Sequence, residues 1–256
     1  MLRLRRAGGP PQSVNVSYDS ERKLAALHSL MRDHRVMRHP IWRRFAAGDF
    51  NLSQIRPFAL QYYLHVSTTR LYAAGVLARC SDETIQFALA SVLWDEYGRG
   101  DPQQTHPAQF RRFLGQLGLT QRDWKAARPI PELMLYRDVH YRLCTQEPFW
   151  VGFGAVAFAM EWPIPIFYRH LVTGFRRALD LDDTALDFFL SHVREDKAHA
   201  QGLSQALGPH LADPHVRQAL QEGITRSLDA RVILMDGLLR ITFRNAHRRR
   251  SHQAGL

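Results

Sequence analysis

The segment His192-Val193-Arg194-Glu195-Asp196-Lys197-Ala198-His199 carries three side chains able to bind a first-row transition metal. On an α-helix, at ~100° per residue, Asp196 lies about 40° round from His192 and His199 about 20° the other way. Two imidazoles and a carboxylate therefore share one stripe, the mixed nitrogen and oxygen donor set such a metal takes. The competing reading is a solvated polar face, since Arg194, Glu195 and Lys197 intervene. Leu186, Phe189, Leu190, Val193 and Leu203 weigh against it, because they predict a substantially buried helix, and buried polar groups need partners.

Two further places offer donors of the same kind. Glu96, in Leu93-Trp94-Asp95-Glu96-Tyr97-Gly98, follows an apolar run, and His106 comes ten residues later. On a straight helix the two would be about 80° apart, but glycines and Pro102 intervene, so spacing alone leaves open a helix-ending glutamate and a loop histidine. Glu161 sits inside the almost wholly apolar stretch from Pro148 to Tyr168. A carboxylate in the middle of that stretch argues against a membrane span and for a helix buried in a bundle. Such a glutamate is a metal ligand, a buried ion pair with Arg137 or Arg169, or a protonated carboxyl. Taken together, Glu96, His106, Glu161, His192, Asp196 and His199 over-supply a single iron, which needs two His and one carboxylate, and suit a pair of ions in a helical bundle.

The elements that must position these residues are helices. Leu24, Leu27, Leu30 and Met31 recur at helical spacing after a start near Ser20, capped by Asp19 or Ser20. Further helices are expected over about 52–78, bent near Pro57, then 82–97, 106–117, 132–144, 149–160 with a continuation to 178, 184–207, and 214–243. No segment alternates like a strand, so the fold class is all-α. Residues 1–19 read as a flexible lead-in, 20–243 as one domain, and 244–256 as a basic tail.

The net charge of +10 would suit a nucleic-acid partner, but eight of those charges are arginines at 3, 5, 6, 240, 244, 248, 249 and 250. Without them the body is near +2, so the basicity belongs to the ends, and nucleic acid is not the expected partner. Cys80 and Cys144 are too few for a disulfide framework and fit a reducing cytoplasm. No apolar run follows the basic N-terminus, as a secretory signal would require.

The ordered pattern of DEYGRG around Glu96, HPAQFRRFLGQLGL from His106, Glu161 on an apolar helix, and His192-x3-Asp196-x2-His199 resembles the haem-oxygenase-like diiron oxidases and oxygenases, the iron-containing redox enzymes. The resemblance implies a haem-oxygenase-like bundle of about seven core helices, often dimeric, with those six residues as ligands of two irons. It implies O2 as co-substrate, activated through a peroxo-diiron(III) species, a reductant as a possible partner, and oxidative cleavage or desaturation of an amino-acid-like or fatty-acid-like molecule. Members that oxygenate nitrogen carry an extra carboxylate on the helix before Glu96. No Asp or Glu occurs from Asn51 through Ser81, which favours cleavage or desaturation over N-oxygenation. His65 on that helix reads first as a core histidine, the alternative being that it faces the site. Arg70, Arg169, Tyr63 and Trp162 are the candidate substrate-binding residues, an inward arginine being suited to a carboxylate. A thiol enzyme on the same bundle and a metal-free binding protein are the alternatives, and iron content with O2 uptake separates them from the oxidase.

Overall fold

The computed structural model describes residues 18–243, apart from the side chains of residues 195–198. The expected lead-in over residues 1–17 and the basic tail from 244 onward lie outside the described residues. Among the described residues all regular structure is helical: α1 (Tyr18–Asp33), α2 (Pro40–Ala47), α3 (Leu52–Leu77), α4 (Glu83–Glu96), α5 (His106–Gln116), α6 (Gln121–Ala126), α7 (Pro131–Thr145), α8 (Phe149–Gly154), α9 (Ile164–Leu179), α10 (Asp187–Leu207) and α11 (Pro214–Phe243).

Local chemistry sets most boundaries. Asn51 and Gln54 form a reciprocal capping box that starts α3, so Pro57 falls in its second turn without ending it. Asp82 caps α4 through the Ile85 N–H at 2.9 Å. The two short helices α2 and α6 were not expected. Pro40 is the first residue of α2, where its missing N–H costs nothing. α1 already includes Tyr18 and Asp19, ahead of the expected start. α10 begins at Asp187 rather than 184, because Asp182 caps a turn at Ala185 instead of the helix. Arg240, counted with the basic end, lies inside α11 and pairs with Glu132 of α7 at 2.5 Å.

Helix α11 packs against α7, α8 and α3, while α10 lies on α9, α4 and α5. The stretch Phe149–Leu179 is long and apolar enough to cross a membrane, yet most of it is buried in the bundle. Its middle, Ala155–Glu161, is a π-helical turn. Glycines let α8 and α11 approach backbone to backbone. A Cβ on Gly223 would stand 1.9 Å from the Val151 carbonyl oxygen. Gly223→Ala must therefore push α11 off α8, and a stability loss at or above the ~1–3 kcal/mol usual for overpacking is expected. Denaturant unfolding of the variant checks this.

Candidate metal centre

Each donor is delivered by a local device. Glu96 is the last residue of α4. The chain then turns through Gly98, Arg99 and Gly100, all with positive φ. A Cβ on Gly98 would lie 2.6 Å from the Gln104 carbonyl carbon and the Thr105 nitrogen, so this tight return needs glycine. Thr105 caps α5, and Pro107 fits its first turn. His106 is thereby turned back onto Glu96, with Nδ1 2.9 Å from Oε2. The turn settles the pairing that spacing left open.

Glu161 ends the π turn, a feature found mostly at functional sites. Pro163 has no N–H to give the Ala159 carbonyl four residues back. Arg231 of α11 supplies a donor instead, through Nη2 at 3.3 Å. Neither ion-pair partner considered for Glu161 meets it: Arg137 donates to the Leu64 carbonyl and Arg169 lies on the outer side of α9. Glu161 instead faces His199, Oε2 to Nδ1 at 3.6 Å.

Glu96, His106, Glu161, His192 and His199, from α4, α5, the π turn and α10, line one buried cavity of about 40 Å³. The Asp196 side chain lies outside the described residues. His192 Nδ1 is 2.6 Å from the Phe188 carbonyl, which can only accept, so Nδ1 carries the proton and Nε2 presents a bare lone pair. That lone pair is 3.2 Å from His106 Nδ1. Burial first, then the facing His106, holds the His192 ring well below its usual pKa, in the neutral form a metal binds. Glu96 Oε2, though close to His106, makes no aligned hydrogen bond and is otherwise unpartnered. Donors bound cis to one ion at about 2.1 Å sit about 3 Å apart, and His106 Nδ1 stands 3.2 Å from His192 Nε2 and 2.9 Å from Glu96 Oε2. Among the described residues no three His, Cys, Asp or Glu side chains are placed to hold a metal ion together. The donor chemistry and the misaligned Glu96–His106 contact nevertheless fit a cation.

His199 is held from behind. Its Nε2 meets Asp95 Oδ2 at 2.6 Å, and Arg99 Nε donates to the other oxygen of Asp95 at 2.5 Å. A carboxylate on the far nitrogen leaves Nδ1 for the cavity, the usual outer-shell arrangement of a metal-binding histidine. Burial works against the charged His199 ring, but Glu161 and Asp95 outweigh it and raise its pKa to about 9. At His106, too, the effect of burial is overcome, chiefly by Glu96, and the pKa is raised. Asp95→Asn is expected to weaken iron binding ~10–100-fold while sparing the fold; competition with a chelator measures it.

Of the candidate substrate residues, Trp162 and Arg169 line a larger groove of about 610 Å³ between α1, α9 and α10. Tyr63 and Arg70 reach neither cavity. The Tyr63 hydroxyl accepts from Arg111 at 3.2 Å, and Arg70 lies over the Tyr97 ring. Their positions on α3 face α5 and α4, which a helical repeat alone does not reveal. His65, read as a core histidine, lines the buried cavity. Asp95 and Arg231 were not singled out. Asp95 adjoins Glu96 in sequence, which is the one hint that it stands near the site; nothing local marks Arg231.

Fold and site define an all-helical bundle with a buried nitrogen and oxygen donor cavity. The chain belongs to the iron-containing redox enzyme family, whose profile matches residues 56–232. It is 25% identical over 226 residues to a 4-aminobenzoate synthase of Nitrosomonas europaea, covering 82% of this chain and 88% of that protein. It is 23% identical over 191 residues to a 4-chloro-allylglycine synthase of Streptantibioticus cattleyicolor, covering 75% and 72%. These enzyme-named relatives support an enzyme, and the family's description points to iron. A haem-oxygenase-like domain from Shewanella denitrificans superposes with TM-score 0.68 at 15% identity, over 87% of this chain and 91% of that one. A TenA homologue from Pseudomonas syringae does so with TM-score 0.70 at 13% identity, over 93% and 99%. The fold is thus haem-oxygenase-like.

Proposed function

We propose that this chain is an O2-dependent non-haem diiron oxidase that cleaves or desaturates a small amino-acid-like or fatty-acid-like substrate. The observation that carries the reading is the convergence of five donors from four separate elements on one buried cavity. Glu96, His106, Glu161, His192 and His199 would hold the ions, with Asp196 on the same stripe of α10. Bound iron would supply the electrons and the coordination positions that O2 chemistry requires.

The protein's own part is to orient and to exclude water. Phe188 fixes the His192 tautomer and Asp95 fixes that of His199. Tyr168, Phe188, Met160 and Ile164 wall the cavity and keep it small. The outer groove approaches the site closely, since Trp162, Val193 and Ala200 line it and directly follow Glu161, His192 and His199. It would receive the body of the substrate.

The thiol alternative fares worse. Burial pushes the Cys144 thiol up to about 12 and raises Cys80, which makes both poor nucleophiles. The test is anaerobic loading with Fe(II), then exposure to O2. About two irons per chain and O2 consumption are expected for a bundle of this kind; a chain that takes up neither is no oxidase.

A further inference from the structure

Arg231 is 1% exposed on α11 and lines the donor cavity together with His65 of α3. One of its nitrogens is used: Nη2 donates to the Tyr136 hydroxyl at 3.2 Å and to the Ala159 carbonyl at 3.3 Å. Its Nε and Nη1 are buried without a partner, and so is Nδ1 of His65. No Asp or Glu among the described residues pairs with this guanidinium; what faces it are the rings of Tyr136 and Phe167, at 5.7 and 5.8 Å. Around His65 the charged groups and histidines are Arg231, His140 and Arg137, and the rings of Tyr62 and Tyr136 pack on it at 5.4 and 4.9 Å. Arginine stays charged in proteins, and leaving its buried donors unmet is costly.

The charge count points the same way. Among the described side chains of the cavity, Glu96 and Glu161 bring two negative charges. Two divalent cations and Arg231 outweigh them, so a filled site would remain positive and call for an anion. Empty of metal, the space, about 40 Å³, admits roughly three waters or one carboxylate group, not a bulky ion.

We propose that Arg231 and His65 form a receptor for a carboxylate, which binds in the donor cavity through the guanidinium fork and the imidazole N–H. That this carboxylate belongs to the substrate rests on the oxidase reading above. The arginine expected at position 70 or 169 for this task is then Arg231. A carboxylic acid headed into the cavity would place its first carbons beside the metal ligands, where oxidation would occur.

The test uses the full chain free of metal, in which these donors already lack partners. Formate is titrated in, with chloride as control, and followed by melting temperature and by the amide resonances of α3 and α11. A saturable response specific to formate is expected. It should weaken at least tenfold in Arg231→Met, several-fold in His65→Leu, and stay unchanged in Arg169→Gln on the outer groove. No saturable response, one that Arg231→Met retains, or one lost instead with Arg169 overturns the proposal. If Arg231→Met does not fold, Arg231→Lys decides, because it keeps a charge and loses the fork; an unchanged response there overturns it equally. Iron uptake is measured on the same protein. A chain that binds formate at Arg231 but no iron loses the oxidase reading and keeps the receptor, and one that binds iron but ignores formate does the reverse.

Discussion

Replacing His192 by Ala is expected to lower iron from about two per chain to one or fewer, and to cut O2 uptake by more than the ~10–100-fold that losing an outer-shell partner costs. The reason lies in how this ring is held. Its Nδ1 is committed to the Phe188 carbonyl, and its Nε2 faces His106 Nδ1, which in turn meets Glu96 Oε2. Phe188 and Tyr168 pack against the ring at 4.4 and 5.4 Å between centroids and leave little room for another described side chain to replace that lone pair. The fold should survive. His192 is neutral in the buried state, and a lost neutral hydrogen bond costs ~1–2 kcal/mol, well short of a domain's stability. Iron analysis, O2 uptake and circular dichroism on one preparation make the comparison. Full iron content with normal turnover would remove His192 from the ligand set.

The second large effect is a pair of opposite pH dependences. In the metal-free chain the His199 pKa is raised to about 9 from an ordinary value of 6.5, through Glu161 and Asp95 acting against burial. A raised histidine contributes stability that is complete below the unfolded pKa and disappears as pH climbs through the folded one. The metal-free protein should therefore lose on the order of 2–3 kcal/mol between pH 7 and 9.5 from this group. His106, also raised, acts with the same sign. Metal binding must expel these protons. Its affinity should rise with pH, about tenfold per unit for each proton displaced, until the rings are neutral. The gap in melting temperature between loaded and metal-free protein should widen from pH 7 to 9. A gap that stays constant, with no proton release on loading, would mean that His199 and His106 are not where the metal goes.

Much of this protein was written in local patterns. Helical spacing of apolar residues and the breaker after Tyr97 predicted most of the long helices, because these features act within one or two turns of chain. The stripe of His192 and His199 follows from helical geometry, and the place of Glu161 in an apolar run signalled a buried carboxylate. Long-range placement was not legible. Whether Glu96 meets His106 depended on a left-handed glycine turn packed against Gln104 and Thr105. The direction of Glu161 depended on a π turn braced by an arginine 70 residues further along the chain. Tyr63 and Arg70 turned out to face neighbouring helices, while His65 on the same helix faces the cavity. A sequence records which side chains lie on a common face of one helix. Which faces meet is fixed by close packing between helices, and only that packing could bring Arg231 and Asp95 to the site.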